Sequence, residues 1–207
     1  SYGFRPGRSA RQAILAARDY VKRGHRWVVD LDLEKFFDQV NHDLLMDRVG
    51  ELVCDRRVLK LIRGYLKAGV VIAGQRHSTP MGTPQGGPLS PFLANVLLDR
   101  FDKELEKRGH NFVRYADDCN IYVATRRSGQ RVLASAKRFL ECKLKLKLNE
   151  SKSAVDRPWK RQFLGFTISW RNRICVSHKS WRRFKDRVRE LTRRNRGWST
   201  VRVVREL

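Results

Sequence analysis

Two adjacent acids, Asp117 and Asp118, stand between apolar, β-favouring runs in the stretch from Phe112 to Val123, FVRYADDCNIYV. That pattern predicts a β-hairpin holding both carboxylates at its tip. Asp is ordinary in a turn, where its side chain satisfies local backbone donors, so the pair gains meaning only from a further acid. Upstream, RWVVDLDL (26–33) alternates: Trp27, Val29, Leu31 and Leu33 share one strand face, while Val28, Asp30 and Asp32 share the other. If the two strands are neighbours in one sheet, Asp32 joins Asp117 and Asp118 at a single edge. Three like charges within a few ångströms require raised pKa values or bound cations. Oxygen ligands without imidazole or thiolate favour Mg²⁺, and paired ions ~3.5–4 Å apart suit in-line displacement at phosphorus.

Composition supplies a matching substrate class. Forty-five Lys and Arg against 21 Asp and Glu leave a net charge of +24 in 207 residues, which calls for an anionic partner, nucleic acid first. The excess is uneven: residues 157–207 hold 16 Lys and Arg against 3 Asp and Glu, together with Trp159, Trp170, Trp181 and Trp198. The 41% hydrophobic content is enough for a sizeable core, in one large domain or a domain plus part of another. No apolar run approaches transmembrane length and no signal peptide opens the chain, so no membrane partner and a cytoplasmic location are expected. Cys54, Cys119, Cys142 and Cys175 lack C-x-x-C spacing and the five histidines complete no zinc pattern, so free thiols are expected.

Helices and strands alternate around these acids. Ser9 with Gln12 reads as a capping box for a helix carrying Ala13, Ile14, Ala17 and Val21 to Gly24. Asn41 reads as an N-cap, Val58 to Leu66 as a helix ended by Gly69, and Val70 to Ala73 as a short β-like run. STPMGTPQGGPLSP (78–91) has three Gly and four Pro and must be a loop that brings backbone close to something; Ser90 and Pro91 then open a long helix stopped by Gly109. A helix from Gln130 to Lys145, a possible strand after Leu148–Lys152, a strand over Phe163–Ile168 with a hairpin to Ile174 and Val176, and a basic helix over Ser180–Arg194 follow. In that last helix Trp181, Phe184, Val188 and Leu191 share one face. Turn acids and Trp at helical spacing have bland readings, as local caps and as core.

Six segments in order carry a resemblance: YGFRPGRS (2–9), DLDLEKFFDQVNHDLL (30–45), GTPQGGPLSP (82–91), YADD (115–118), LKLNESKS (146–153) and FLGF (163–166). The chain resembles the reverse transcriptases of bacterial group II introns, the intron-encoded maturases. The resemblance implies an α+β fold: a right-hand polymerase palm and fingers, with a mostly antiparallel sheet packed on helices and a partial helical thumb. It divides the chain into 1–176, N-terminally truncated fingers and palm, and 177–207, the start of the thumb. The opening at Ser1 and the end near the thumb suggest an excised fragment.

It implies further that Asp32, Asp117 and Asp118 are the catalytic carboxylates and, with the Leu33 backbone, hold two Mg²⁺ ions, for which Mn²⁺ is a substitute. Asp30 matches no ligand and reads as the partner of a nearby cation. Leu33 and Glu34 would offer backbone groups to the triphosphate, Phe37 would be the steric gate against a 2′-hydroxyl, and Gln85 and Gly86 would lie near the nascent base pair. Arg5, or Arg8 with it, would grip the triphosphate, Lys152 would protonate the leaving pyrophosphate, and Phe163–Phe166 would form the primer-gripping hairpin. The implied activity is RNA-directed DNA synthesis with an RNA template (group II intron RNA), a DNA primer and dNTPs, in a cytoplasmic ribonucleoprotein. An RNA-binding maturase with little or no polymerase activity is the alternative, and a plain basic RNA-binding domain a third.

Overall fold

A computed structural model describes residues 1–72, 75–77, 80–84, 86–193, 197, 199, 201, 204 and 205. Its centre is β1 (Trp27–Leu31), which buries Val29 and Leu31 on one face and Val28 on the other. Antiparallel neighbours flank it: β5 (Asp118–Val123) on one side and β6 (Ala154–Asp156) on the other, with β4 (Asn111–Tyr115) outside β5, in the order β4-β5-β1-β6. The register Trp27↔Val123 through Leu31↔Cys119 makes like faces coincide.

One face, with Val29, Leu31, Cys119, Ile121 and Val123, packs on α5 (Ser90–Lys107) and α6 (Arg126–Lys143) through Leu97, Leu98, Phe101, Val132, Ala136 and Leu140. The other, with Val28, Val113 and Tyr122, is covered by Ala13, Ile14, Ala17 and Val21 of α1 (Ala10–Lys22) and by Phe163 and Ile168. The short α2 (Phe36–Gln39), α3 (His42–Gly50) and α4 (Arg56–Lys67) follow β1, and β2 (Val70–Ile72) pairs with β3 (Gln75–His77). A 3₁₀ turn at Pro158–Lys160, β7 (Phe166–Ile168), β8 (Ile174–Val176) and α7 (His178–Leu191) complete the chain. Among the described residues no helix is long and apolar enough to cross a membrane.

The caps lie where the sequence puts them: Ser9 and Gln12 bond reciprocally, and Asn41 accepts from Asp43 N and Leu44 N. Four expectations shift. The hairpin tip is Ala116-Asp117, and Asp118 already pairs with Tyr115 in the ladder. α6 begins at Arg126, capped by Thr125 Oγ1, four residues before the expected Gln130. The strand expected from Phe163 begins at Phe166, because Leu164 and Gly165, with φ 52° and 82°, turn the chain first. Trp181 and Phe184 stack on each other while 47% and 56% exposed, so only Leu191 of that α7 face is buried. Ala73 and Gln85 lie outside the described residues.

Gly129 explains how α6 reaches the sheet. A Cβ there would stand 2.5 Å from Val155 Cγ1, so the helix lies against β6 at a distance only glycine allows. Gly129→Val is expected to cost about 1–3 kcal/mol, as overpacking does in cores, read as a lower urea midpoint at unchanged m-value.

Candidate active site

The hairpin turn has a positive φ only at its first central residue, Ala116 at 55°, the pattern of a type II′ turn usually given to Gly. Asp117 occupies the second central position and Asp118 the first rung of β5. On β1, continuing the register one step past Leu31↔Cys119 places Asp32 opposite Asp118. The segment 147–153 fixes this end of β1: Asp32 N donates to Ser153 Oγ at 3.0 Å, Asn149 N to Asp32 O at 2.8 Å, and Glu34 N to Lys147 O at 2.9 Å. The last two bonds flank the bridge Leu33↔Leu148, so the N–H and C=O of Leu33 face away from Leu148, toward the β5 end.

Asp30, Asp32 and Asp118 line an open cleft of about 530 Å³ with Lys152, Lys160, Arg161 and Lys179. Arg161 pairs with Asp30 at 2.7 Å and donates to Lys152 O. Asn120, with its amide turned to donate, reaches Asp30 Oδ1 at 2.9 Å. Asp30 is thus engaged by its neighbours. Lys152 Nζ stands 4.0 Å from Asp32 Oδ2. Asp117 does not share that cleft: it borders a small cavity on the α5 side with Leu31, Leu33, Leu98 and Arg114.

The acids nonetheless feel one another. Desolvation raises the Asp117 pKa first, the Asp32 charge adds to it, and Arg114 opposes. Asp118 is pushed up to about 6 by desolvation, then by the charges of Asp117, Asp30 and Asp32. Among the described residues no three His, Cys, Asp or Glu side chains stand close enough to hold a metal ion as placed. The donor set fits Mg²⁺ by its chemistry, oxygen ligands only with mutual repulsion that a divalent cation would relieve. An ion shared by Asp32 and Asp117 would have to draw Asp117 across the end of the sheet.

The raised Asp118 pKa predicts a pH effect in metal-free protein. The folded value near 6 exceeds the ordinary 3.8, so the native state keeps the proton where the unfolded chain has lost it. That contribution is complete below pH 4 and is lost as pH rises through 6. Urea midpoints should fall across this window in the parent, and the fall should be smaller in Asp118→Asn.

The other expected residues are placed as follows. Phe36 is buried, while Phe37 is half-buried and meets it edge-on at 5.2 Å. Thr83 N donates to Phe37 O at 2.6 Å, and Gly82, with φ 90°, lies where a Cβ would meet that oxygen at 2.8 Å, so the Gly/Pro loop does bring backbone against Phe37. Gly86 has φ 84° and open space around it. Arg5 and Arg8 are exposed, the first bonded to Ser1 O and the second over the Tyr2 ring. Sequence reasoning missed Arg114, Asp102 and Asn95, which hold the turn from beneath, and Arg161 and Ser153, which hold Asp30 and Asp32. A cation inside an apolar strand, Arg114, was the available signal.

Known proteins share this arrangement of elements. Apo telomerase from Candida Tropicalis superposes with a TM-score of 0.66 over 88% of this chain and 40% of that one, at 13% identity, a likeness of fold alone. In sequence, protein YkfC of Escherichia coli (strain K12) is 32% identical over 193 residues, covering 75% of this chain and 51% of that protein. The group II intron-encoded protein LtrA of Lactococcus lactis subsp. cremoris is 42% identical over 106 residues, half of this chain and 17% of LtrA. The chain therefore spans about half of YkfC and a smaller part of LtrA. The profile of the family described as reverse transcriptase (RNA-dependent DNA polymerase) matches residues 1–168. A match over that span, on an antiparallel sheet that carries the acids at one end, settles the affiliation: the chain belongs to the reverse transcriptase family, with group II intron-encoded proteins among its relatives.

Proposed function

We propose that this chain is the fingers–palm part (1–176) and first thumb segment (177–207) of an RNA-directed DNA polymerase acting in group II intron mobility and splicing. The observation that carries the reading is the β1–β5 register, which sets Asp32 opposite Asp118 with Asp117 in the adjoining turn, so that three carboxylates gather at one end of the sheet and the Asp32 charge helps raise the pKa of the other two. Asp32, Asp117, Asp118 and the Leu33 carbonyl would hold two Mg²⁺ ions, which supply a lowered pKa at the primer 3′-hydroxyl and countercharge on the pyrophosphate. The remaining steps belong to this chain's side chains. Arg5, with Arg8, grips triphosphate oxygens through paired hydrogen bonds. Phe37 sits under the sugar and excludes a 2′-hydroxyl, and Gln85 and Gly86 support the new base pair. Lys152, already beside Asp32, gives a proton to the leaving pyrophosphate.

The cation-lined cleft and the uncovered Trp181–Phe184 pair suit an RNA template and DNA primer, through phosphate contacts and stacking on exposed rings. Lys185 over the Trp181 ring and Arg171 over Trp170 add charge to the same aromatic surfaces. That exposure also favours a second reading, a maturase that grips intron RNA with polymerisation secondary, in a cytoplasmic ribonucleoprotein. Primer extension on RNA with Mg²⁺ and dNTPs, beside RNA binding, separates the two. Extension by the parent and none by Asp117→Asn supports the polymerase. Equal extension by both, or RNA binding by a parent that never extends, rejects it.

A further inference from the structure

Arg114 is a charged side chain 1% exposed within the apolar layer between sheet and α5. Burying a guanidinium is costly unless its donors find partners, and these do. Nε and Nη2 form a two-pronged pair with Asp102 of α5 at 2.7 and 2.6 Å. Nη1 goes elsewhere, to Ala116 O at 2.7 Å and to Asn95 Oδ1 at 3.0 Å. Ala116 is the turn residue at φ 55°, a conformation that costs an L-residue about 1–2 kcal/mol, so this bond braces a strained peptide.

Asn95 extends the chain of contacts to the N-terminal loop. Its Nδ2 donates to Gly3 O at 2.8 Å, and Tyr2 N donates to Arg114 O at 2.7 Å. Gly3 lies so near the turn that a Cβ would meet Ala116 N at 2.6 Å, and the Phe4 ring contacts Tyr115 at 5.9 Å. Arg5 is the next residue along. One buried cation and one amide therefore touch both the backbone that carries Asp117 and the loop that carries Arg5.

We propose that Arg114 and Asn95 are positioning residues that lock the Ala116-Asp117 turn and the Tyr2–Arg5 loop into one unit anchored on α5 through Asp102. Their catalytic consequence rests on the polymerase reading above: the carboxylates and the triphosphate-gripping Arg keep a fixed spacing because they share this lock. The mechanical coupling does not depend on that reading.

Amide hydrogen exchange in the metal-free protein tests the lock directly. Asn95→Ala is expected to speed exchange at Tyr2–Arg5 and at Ala116–Asp118 together by about tenfold, through local opening rather than global unfolding. Val132→Ala, a core truncation in α6, serves as a control that destabilises without touching the lock. Acceleration at only one of the two segments, or at neither, or no more than the control gives, overturns the proposal. Arg114→Lys keeps the charge but loses the fork; if it folds, both segments should accelerate more than in Asn95→Ala, and if it does not, Asn95→Ala decides. In primer extension the coupled loss appears as a raised KM for dNTP together with a lowered kcat in Asn95→Ala. Coupled exchange in a parent that never extends leaves the lock standing and rejects the polymerase. Extension by a parent in which exchange stays uncoupled does the reverse.

Discussion

Asp32→Asn should lower RNA-templated nucleotide incorporation about 10³-fold, a loss of roughly 4 kcal/mol of transition-state stabilisation, while primer–template affinity changes little. The substitution preserves shape. The backbone bonds that hold this position, to Ser153 Oγ and from Asn149 N, involve no carboxylate oxygen and survive. What disappears is one negative charge felt by Asp117 and Asp118, both held up in pKa partly by that charge. Removing it also gives a signature of opposite sign. In metal-free protein at neutral pH the remaining acids repel less, so the urea midpoint should be unchanged or higher as activity collapses. A residue that merely braced the fold would lose both. Single-turnover incorporation and urea unfolding on the same preparations make the comparison, and a fall of less than tenfold in rate would remove Asp32 from the catalytic set.

The second large effect is on stability. Asp102→Ala leaves the buried Arg114 guanidinium without its carboxylate, and breaking a buried pair from one side typically costs about 3–5 kcal/mol. For a chain of this size that is roughly 6–20 °C in Tm. Replacing both partners, Asp102→Leu with Arg114→Met, should recover much of the loss, because the desolvation of both charges is removed along with their attraction. Activity should not recover with it, since Ala116 O and Asn95 Oδ1 both lose the Nη1 donor. Thermal melts and incorporation rates, measured on the single and double variants, read the two effects separately. Equal recovery of both would mean that Arg114 acts on the core alone.

The sequence made the acids' strands legible through period-two alternation, and the helices through their caps, because both signals are local. Ser9, Asn41, Pro91 and Gly109 each mark a boundary with chemistry confined to a few residues. The start of α6 was hidden, since Ser128 and Gly129 look like an interruption until Gly129 is seen against Val155. The exposed α7 face was unreadable for a related reason: apolar spacing shows that a face exists but not that another element covers it.

For the site, register decided what the sequence could only pose as a condition. Nothing local shows that β5 rather than β4 lies beside β1, and that choice sets Asp32 opposite Asp118. The lock under the turn was invisible for the same reason, since Asn95, Asp102 and Arg114 meet only once α5 packs on the sheet. Where Asp117 points was likewise beyond the sequence; it borders the α5-side cavity while Asp32 and Asp118 face the cleft.

That orientation makes metal binding the decisive measurement. Mg²⁺ titrated into isotopically labelled protein should shift the side-chain carboxyl carbon signals of Asp32, Asp117 and Asp118 with one shared saturation curve, as expected if Asp117 swings to join Asp32 on a common ion. Asp117→Asn should weaken that curve at Asp32 as well as at the turn. Shifts at Asp32 and Asp118 that leave the Asp117 carboxyl unmoved, or that survive Asp117→Asn unchanged, would contradict a single site built from all three carboxylates.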